Sequence, residues 1–301
     1  MRRALLAACL AVLACSRNAP HAAPLTLQDD WHRTVALAAP ARRIVSLAPA
    51  TSEIVFALGL GDRLVGRTTW CDYPPEVRTV ASVGNGIGPD VEAIARLKPD
   101  LVVVYPSEAN RAAVTQLEGL GIPAAVLKQD AIADFKSTTR FIARAAGVPA
   151  RADSLLLSFN RRLDAVRQDG AQARGRVVAR AGASVFVAVG ANPPIAIGMG
   201  SFISELVTLA GGRNAFADIA GPSAQVSLEA VVAHQPDVVM VLGADSSVRE
   251  IESRPGFGAI AAVRAHRVIA LDGSQFDRPS PRLPEAVAAL AAKLAAMEHQ
   301  R

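Results

Sequence analysis

Aromatic residues are scarce in this chain of 301 residues: two Trp, two Tyr and nine Phe. Stacking surfaces for nucleobases are therefore few, and the 32 Lys and Arg against 27 Asp and Glu form no long basic run. Nucleic-acid recognition needs both and is excluded. Cysteine is scarcer still. Three in this length cannot staple a disulfide scaffold. Histidine is limited to His21, His32, His234, His266 and His299, scattered with no cysteine or carboxylate at metal-ligand spacing, so no resident metal is expected. No G-x-S-x-G nucleophile elbow is present, and Gly198-Met199-Gly200-Ser201 has the wrong order for one. After the first residues no hydrophobic stretch approaches the ~20 residues that a spanning helix needs.

Apolar material itself is plentiful. A hydrophobic share of 51% excludes disorder and supplies one large core or two smaller ones. At the start, Arg2 and Arg3 precede the apolar run Ala4 to Ala14, and Cys15 follows. A basic region, a short apolar segment and a small residue before the cut mark residues 1–14 as an export signal. Val12-Leu13-Ala14-Cys15 resembles a lipobox, which would make Cys15 the first mature residue and the lipid attachment point; cleavage near Ala22 or Ala23 is the alternative. With Cys15 acylated, Cys71 is the one remaining thiol.

Short Val- and Ile-rich runs read as buried strands: 43–48, 101–105, 124–127, 184–189, 238–242 and 267–271. Between them lie Ala-rich segments with helical spacing, among them 51–58, 91–97, 111–120 and 202–210. Buried strands alternating with helices indicate α/β units around a mainly parallel sheet. A repeat sharpens this. Residues 92–104 read EAIARLKPDLVVV and residues 229–241 read EAVVAHQPDVVMV, each a helix, a Pro-Asp turn and a strand. Two similar halves thus flank a helix-forming segment, 134–168, interrupted only at Gly147-Val148-Pro149 and carrying an apolar stripe of Leu155, Leu156, Phe159, Leu163 and Val166. The expected architecture is two Rossmann-like α/β lobes, 25–132 and 171–301, joined by a single long α-helix within 133–170.

Glu92 and Glu229 occupy equivalent first-turn positions of the repeated helices. A carboxylate there complements the helix dipole, and one on each half could also dock a two-fold partner presenting arginines. Gly84-Asn85-Gly86-Ile87-Gly88 lacks the spacing of a nucleotide loop, and Asp90 behind it would repel a phosphate. It reads as a cleft wall. Trp70, Tyr73, Tyr105 and Phe276 fall just after or between elements, where the carboxyl ends of parallel strands bind ligands. Arg278 faces that cleft or pairs with Asp277.

Several motifs in order carry a resemblance to a known family. They are Arg43-Ile44-Val45-Ser46-Leu47-Ala48-Pro49-Ala50-Thr51-Ser52-Glu53, Cys71-Asp72-Tyr73-Pro74-Pro75 and Leu97-Lys98-Pro99-Asp100-Leu101-Val102. Asn192-Pro193-Pro194, Gly211-Gly212-Arg213-Asn214 and Arg278-Pro279-Ser280-Pro281-Arg282 follow. Over 43–301 the chain resembles the periplasmic binding proteins for vitamin B12 and iron complexes that feed ABC importers, and is most similar to the cobalamin binders among them. The resemblance implies a non-enzymatic, monomeric protein outside the cytoplasmic membrane, without a cofactor, that captures cobalamin or a related corrinoid between its lobes. Its ligand contacts would be Ala50, Trp70, Tyr105, Phe276 and Arg278, and Glu92 and Glu229 would engage the permease dimer. Departures stand beside it. Tryptophans expected near Gly86 and before Gln225 are absent, and Gln275 replaces an expected aromatic. A ferric siderophore or haem is the alternative ligand, and an exported α/β enzyme using Gly84–Gly88 and Cys71 is the remote alternative.

Overall fold

The computed structural model describes residues 25–175, 182–189, 193–242 and 248–298. The export and lipidation expectations at 1–14 and Cys15 lie outside them, as does Asn192 of the Asn-Pro-Pro motif.

The described chain starts with an antiparallel hairpin, β1 (Leu25–Gln28) and β2 (Thr34–Leu37), whose Leu27, Val35 and Leu37 point inward. Buried Asp29 in its turn accepts the backbone N–H of Trp31, Arg33 and Val126, tying the hairpin to the sheet that follows. That sheet holds β3 (Ile44–Ser46), β4 (Leu64–Arg67), β5 (Leu101–Val104) and β6 (Ala124–Val126), all parallel in the order β4-β3-β5-β6. Strands β3, β5 and β6 are buried along their whole length, as strands covered on both faces must be. The crossovers are α1 (Pro49–Ala57), α2 (Val91–Arg96) and α3 (Glu108–Gly119). Each start has a local cause. Pro49 occupies the first turn of α1, Asp90 accepts the N–H of Ala93 at 2.8 Å, and Ser107 accepts that of Asn110 at 3.2 Å.

The helix-rich middle is two helices, α4 (Ile132–Ala145) and α5 (Pro149–Gly175). Gly147, at φ +74°, supplies the left-handed residue that ends α4, and Pro149 starts α5. Helix α4 packs on α1 and β1 of the first half. Helix α5 packs on α4, with Phe159 4.7 Å from the Phe135 ring, and on a helix near the end of the chain, residues 283–298. Its buried stripe is Ala152, Leu156, Phe159 and Leu163.

The second sheet has β7 (Ser184–Val189), β8 (Ile195–Ile197), β9 (Arg213–Asn214), β10 (Ser223–Gln225), β11 (Val238–Leu242) and β12 (Val268–Leu271). Strands β7, β11 and β12 run parallel in that order, β9 lies parallel to β7, and β8 and β10 extend the far side antiparallel. Helices α6 (Phe202–Leu209), α7 (Leu228–His234), α8 (Val248–Ser253), α9 (Ala261–Arg264), α10 (Gly273–Phe276) and α11 (Leu283–Glu298) surround it.

The sequence repeat is a structural one. Lys98 and Gln235, each preceding the Pro-Asp pair, both adopt left-handed backbone, at φ +45° and +44°. The following aspartates repeat a role: Asp100 accepts the N–H of Arg43 just before β3, and Asp237 that of Ser184 at the start of β7. Inside each half the strand-forming runs found their sheets. The halves also share a core, because one continuous buried apolar cluster includes Ile54 and Val103 of the first and Val185, Met240 and Leu290 of the second.

Candidate functional site

A cleft of about 490 Å³ lies between the halves. Its walls follow the carboxyl ends of strands: Leu47–Ala50 after β3, Tyr105 after β5, and Gln129 with Asp130 after β6. The second half contributes Ser201 and Phe202 at the start of α6, Pro222, and Asp277–Pro279 after α10. Loops at these strand ends are where α/β sheets take ligands. A larger hollow of about 860 Å³ is lined by residues of α1, α5, α10 and α11 and of the loops beside them, none of which directly follows a strand.

Ala50, Trp70, Tyr105 and Arg278 of the expected ligand contacts line the cleft. Trp70 is 48% exposed and Ile87 56%, a combination that costs hydration when nothing covers them. Ile87 sits in the loop whose Gly84, Gly86 and Gly88 all take positive φ. At Gly86 a Cβ would come within 2.7 Å of the Leu47 carbonyl oxygen, so only glycine lets this wall close on β3.

Phe276 corrects the expectation made for it. It is 3% exposed in the shared apolar core and does not line the cleft. The Asp272 carboxylate caps α10 through the N–H of Ser274, and the single turn that follows carries Phe276 inward, leaving Asp277 and Arg278 toward the cleft. Tyr73 also faces elsewhere. Its ring lies under the Arg282 guanidinium, 4.0 Å away, and borders the larger hollow.

Both readings of Arg278 hold at once. It faces the cleft and pairs with Asp277, Nε donating at 2.8 Å, while Nη1 donates to Asp72 of the first half at 2.9 Å. Burial alone would lower its guanidinium; hydrogen bonding to Asp277 and the charges of Asp277, Asp72 and Glu53 outweigh that and hold it above its ordinary value. Behind it, Arg282 forks onto Glu53 of α1, Nε to Oε2 at 2.8 Å and Nη2 to Oε1 at 2.7 Å. Glu53 is 2% exposed, so this is a buried, bidentate ion pair between the halves. No local pattern announces a pair separated by 229 positions.

A second junction lies across the cleft, where the N–H of Phe202 donates to the Asp130 carbonyl at 2.7 Å. The Tyr105 hydroxyl donates to Asp130 Oδ1 at 2.7 Å. Burial, that hydrogen bond and the neighbouring carboxylates push its pKa up to about 12. Beside it, Gln129 Nε2 donates to the Thr51 hydroxyl at 2.6 Å and braces the cleft floor to α1. Sequence reasoning missed Glu53, Gln129, Asp130 and Phe202, and it read Ile87 as part of a cleft wall without singling out its side chain; for Asp130 a signal existed, since it ends the loop after an apolar strand.

The Ser and Cys weighed for other chemistry have structural partners. Ser201 accepts the N–H of Ile203 and caps α6, and Cys71 is buried, receiving the Ser52 hydroxyl at 3.1 Å with Thr68 Oγ1 at 3.3 Å. Among the described residues no three His, Cys, Asp or Glu side chains converge as a metal site. Also among them, no helix is long and apolar enough to cross a membrane.

Away from the cleft, Glu92 and Glu229 project from α2 and α7, both exposed. The helices start alike, with Ser227 accepting the N–H of Ala230 as Asp90 accepts that of Ala93. The backbone N–H of Glu229 and the Ser227 hydroxyl hold the Glu229 carboxyl below its ordinary range.

Comparison with known proteins agrees with this geometry. The periplasmic binding protein family model matches residues 44–274. The chain is 33% identical over 273 residues to an uncharacterized ABC transporter substrate-binding lipoprotein of Bacillus subtilis, covering 89% of this chain and 84% of the relative. It is 31% identical to the vitamin B12-binding protein of Yersinia pestis, over 85% of this chain and 88% of that one. The periplasmic heme-binding protein of Roseiflexus sp. RS-1, in apo form, superposes with a TM-score of 0.75 at 29% identity, over 85% and 99% of the two chains. The chain belongs to the periplasmic binding protein family.

Proposed function

We propose that this chain is the extracytoplasmic solute-binding component of an ABC importer, and that it captures cobalamin or a related corrinoid between its halves. The observation that carries the reading is the cleft at the strand ends, walled from both halves and presenting Trp70 and Ile87 uncovered. Apolar faces there would cover the chelate, and a few polar groups, Arg278 and Gln129 among them, would orient it. The vitamin B12-binding relative supports this choice. Haem, for which the structural neighbour is named, fits less well: haem iron commonly takes a Tyr or His ligand, and among the described residues of the cleft wall the one such side chain, Tyr105, is committed to Asp130.

Delivery in this reading uses Glu92 and Glu229. One exposed carboxylate on each half matches a permease that offers an arginine from each of two symmetric subunits. No reaction is involved. The binding protein acts as a monomer, anchored through Cys15 where the lipobox is processed.

Calorimetric titration of residues 16–301 with cyanocobalamin, alongside haemin and a ferric siderophore, tests the ligand. Sub-micromolar cobalamin binding is expected, weakened at least tenfold by Trp70→Ala with Tyr105→Ala. Binding of haemin or the siderophore without cobalamin would move the ligand to an iron complex. For delivery, Glu92→Ala with Glu229→Ala should abolish uptake in reconstituted vesicles and leave ligand affinity intact; normal uptake would refute the docking role.

A further inference from the structure

The ionised side chains around the cleft do not balance. Asp130 stands on the wall given by the first half, and Asp277 and Arg278 on that given by the second. Among the described residues Arg278 is the wall's single cation, because no lysine, histidine or second arginine among them lines the cleft. Its side chain is 11% exposed, and its charge is already matched: Asp277 and Asp72 accept from it, and Glu53 Oε1 lies 3.7 Å from Nη1. A second guanidinium in this cluster, that of Arg282, is forked onto Glu53. At this end of the cleft three carboxylates therefore meet two guanidiniums. Asp130 adds a fourth carboxylate. It accepts the neutral hydroxyl of Tyr105 and forms no ion pair among the described residues.

The neutral part of the wall offers donors and acceptors without charge, from Ser107, Asn110 and Gln129, beside the apolar Trp70, Ile87 and Phe202. A carboxylate carried in by a ligand would lose its hydration here and meet no uncommitted cation in return. A low-dielectric cleft whose charges sum to the negative side also focuses its field on whatever enters. A carbonyl or amide group suffers neither penalty and can still accept from the Arg278 guanidinium, which carries five N–H donors in all.

Resting on the reading of this cleft as a chelate site, we infer that it selects its ligand by charge. It takes neutral or cationic metal chelates that present amide or carbonyl groups, and rejects chelates bearing carboxylates. Asp130 and Asp277 are the specificity-determining residues, with Asp72 and Glu53 acting through Arg278.

The test compares two pairs of ligands matched in shape and differing in charge. One pair is cyanocobalamin and its tricarboxylic acid, in which three propionamides have become propionates. The other is cationic ferrioxamine B and its N-succinyl derivative, which exchanges the terminal ammonium for a carboxylate. Titration of the wild-type protein should show the anionic member of a binding pair at least tenfold weaker, about 1.4 kcal/mol. Raising the salt from 0.02 to 0.5 M should shrink that ratio, because exposed charges are screened. Asp130→Asn and Asp277→Asn should each narrow it by about threefold, and the salt series keeps the test valid should either variant fold poorly. Equal or tighter binding of the tricarboxylic acid would overturn charge selection while leaving the corrinoid reading in place. Discrimination within the ferrioxamine pair, with neither corrinoid bound, would overturn the corrinoid reading and leave charge selection standing.

Discussion

The Glu53–Arg282 pair sets a measurable stability difference. Glu53 is 2% exposed and Arg282 is 17% exposed in its side chain, so both charges have left bulk water. Replacing Glu53 by Gln keeps the shape and removes the charge, leaving Arg282 and Arg278 with less compensation than their burial demands. Breaking a buried pair from one side costs about 3–5 kcal/mol. The lower figure applies, because Arg282 keeps two neighbours in Glu53→Gln, the Ser274 carbonyl at 2.6 Å and the Tyr73 ring at 4.0 Å. For a chain of this size each kcal/mol moves the melting temperature by roughly 2–4 °C, so calorimetry should record a fall of about 6–12 °C. Arg282→Met should cost at least as much, since Glu53 would then have only the Arg278 nitrogen at 3.7 Å. The double variant Glu53→Leu with Arg282→Met should recover a large part of either loss, because no unpaired charge remains buried. Strictly additive losses, or a Glu53→Gln fall below about 2 °C, would refute the claim that this contact is energetically coupled.

Three further expectations are simpler to check. Tyr105 has a folded-state pKa raised to about 12 against about 10 for a free phenol, so its contribution to stability is complete below pH 10 and is lost as the pH rises toward 12. In the Tyr73→Phe protein the remaining phenol should ionise near pH 12 by ultraviolet absorbance, and Asp130→Asn should bring that value down; an unmoved titration would break the Tyr105–Asp130 assignment. Gly86→Ala forces a Cβ against the Leu47 carbonyl at φ +82°, so it should cost at least the ~1–2 kcal/mol of left-handed strain and weaken ligand binding by moving the cleft wall. An unchanged melting temperature would show that the loop yields freely. Cys71 is 1% exposed beneath Ser52 and Thr68, so in residues 16–301 its reaction with an aromatic disulfide reagent should require opening of the first half and should accelerate with urea in step with unfolding. Immediate reaction in buffer would mean that α1 does not cover it.

The parts legible in the sequence are those with a local period or a local partner. Val- and Ile-rich runs such as Leu101–Val104 and Val238–Leu242 became strands because only burial on both faces suits four or five consecutive apolar residues. The start of α2 was readable because a cap needs just the next three residues and Asp90 stands there; Ser107 and Ser227 cap α3 and α7 by the same rule, yet the apolar spacing had put the start of α3 at 111. Trp70 and Tyr105 were placed from their positions after or between elements. Phe276 failed by the same logic, because a single helical turn is too short to leave a period, and that turn decides which way the ring points. The middle segment shows a similar limit: the break at Gly147 is visible, yet which helix packs on which half follows from contacts of α4 with α1 and β1 that leave no mark on the sequence.

Charges at long separation were the least legible, and they shape the site most. Glu53 lies within the apolar face of α1, between Ser52 and Ile54, where a carboxylate would be rejected unless a partner arrived from elsewhere. Its partner arrives from the second half, and with Arg278 it fixes the two walls through one polar cluster. The apolar core shared across α5 and α11 holds the halves by area, without direction. The polar cluster supplies the direction, since a bidentate fork tolerates little rotation. The same contacts that hold the walls apart at a set distance also consume the cations that an anionic ligand would need. Aperture and charge preference are therefore one property of this cleft, and Glu53→Gln should alter both: a lower melting temperature accompanied by weaker discrimination against carboxylated chelates, as the cluster behind the wall loses one of the three carboxylates that match Arg278 and Arg282. A variant that melted earlier yet discriminated as before would separate the two.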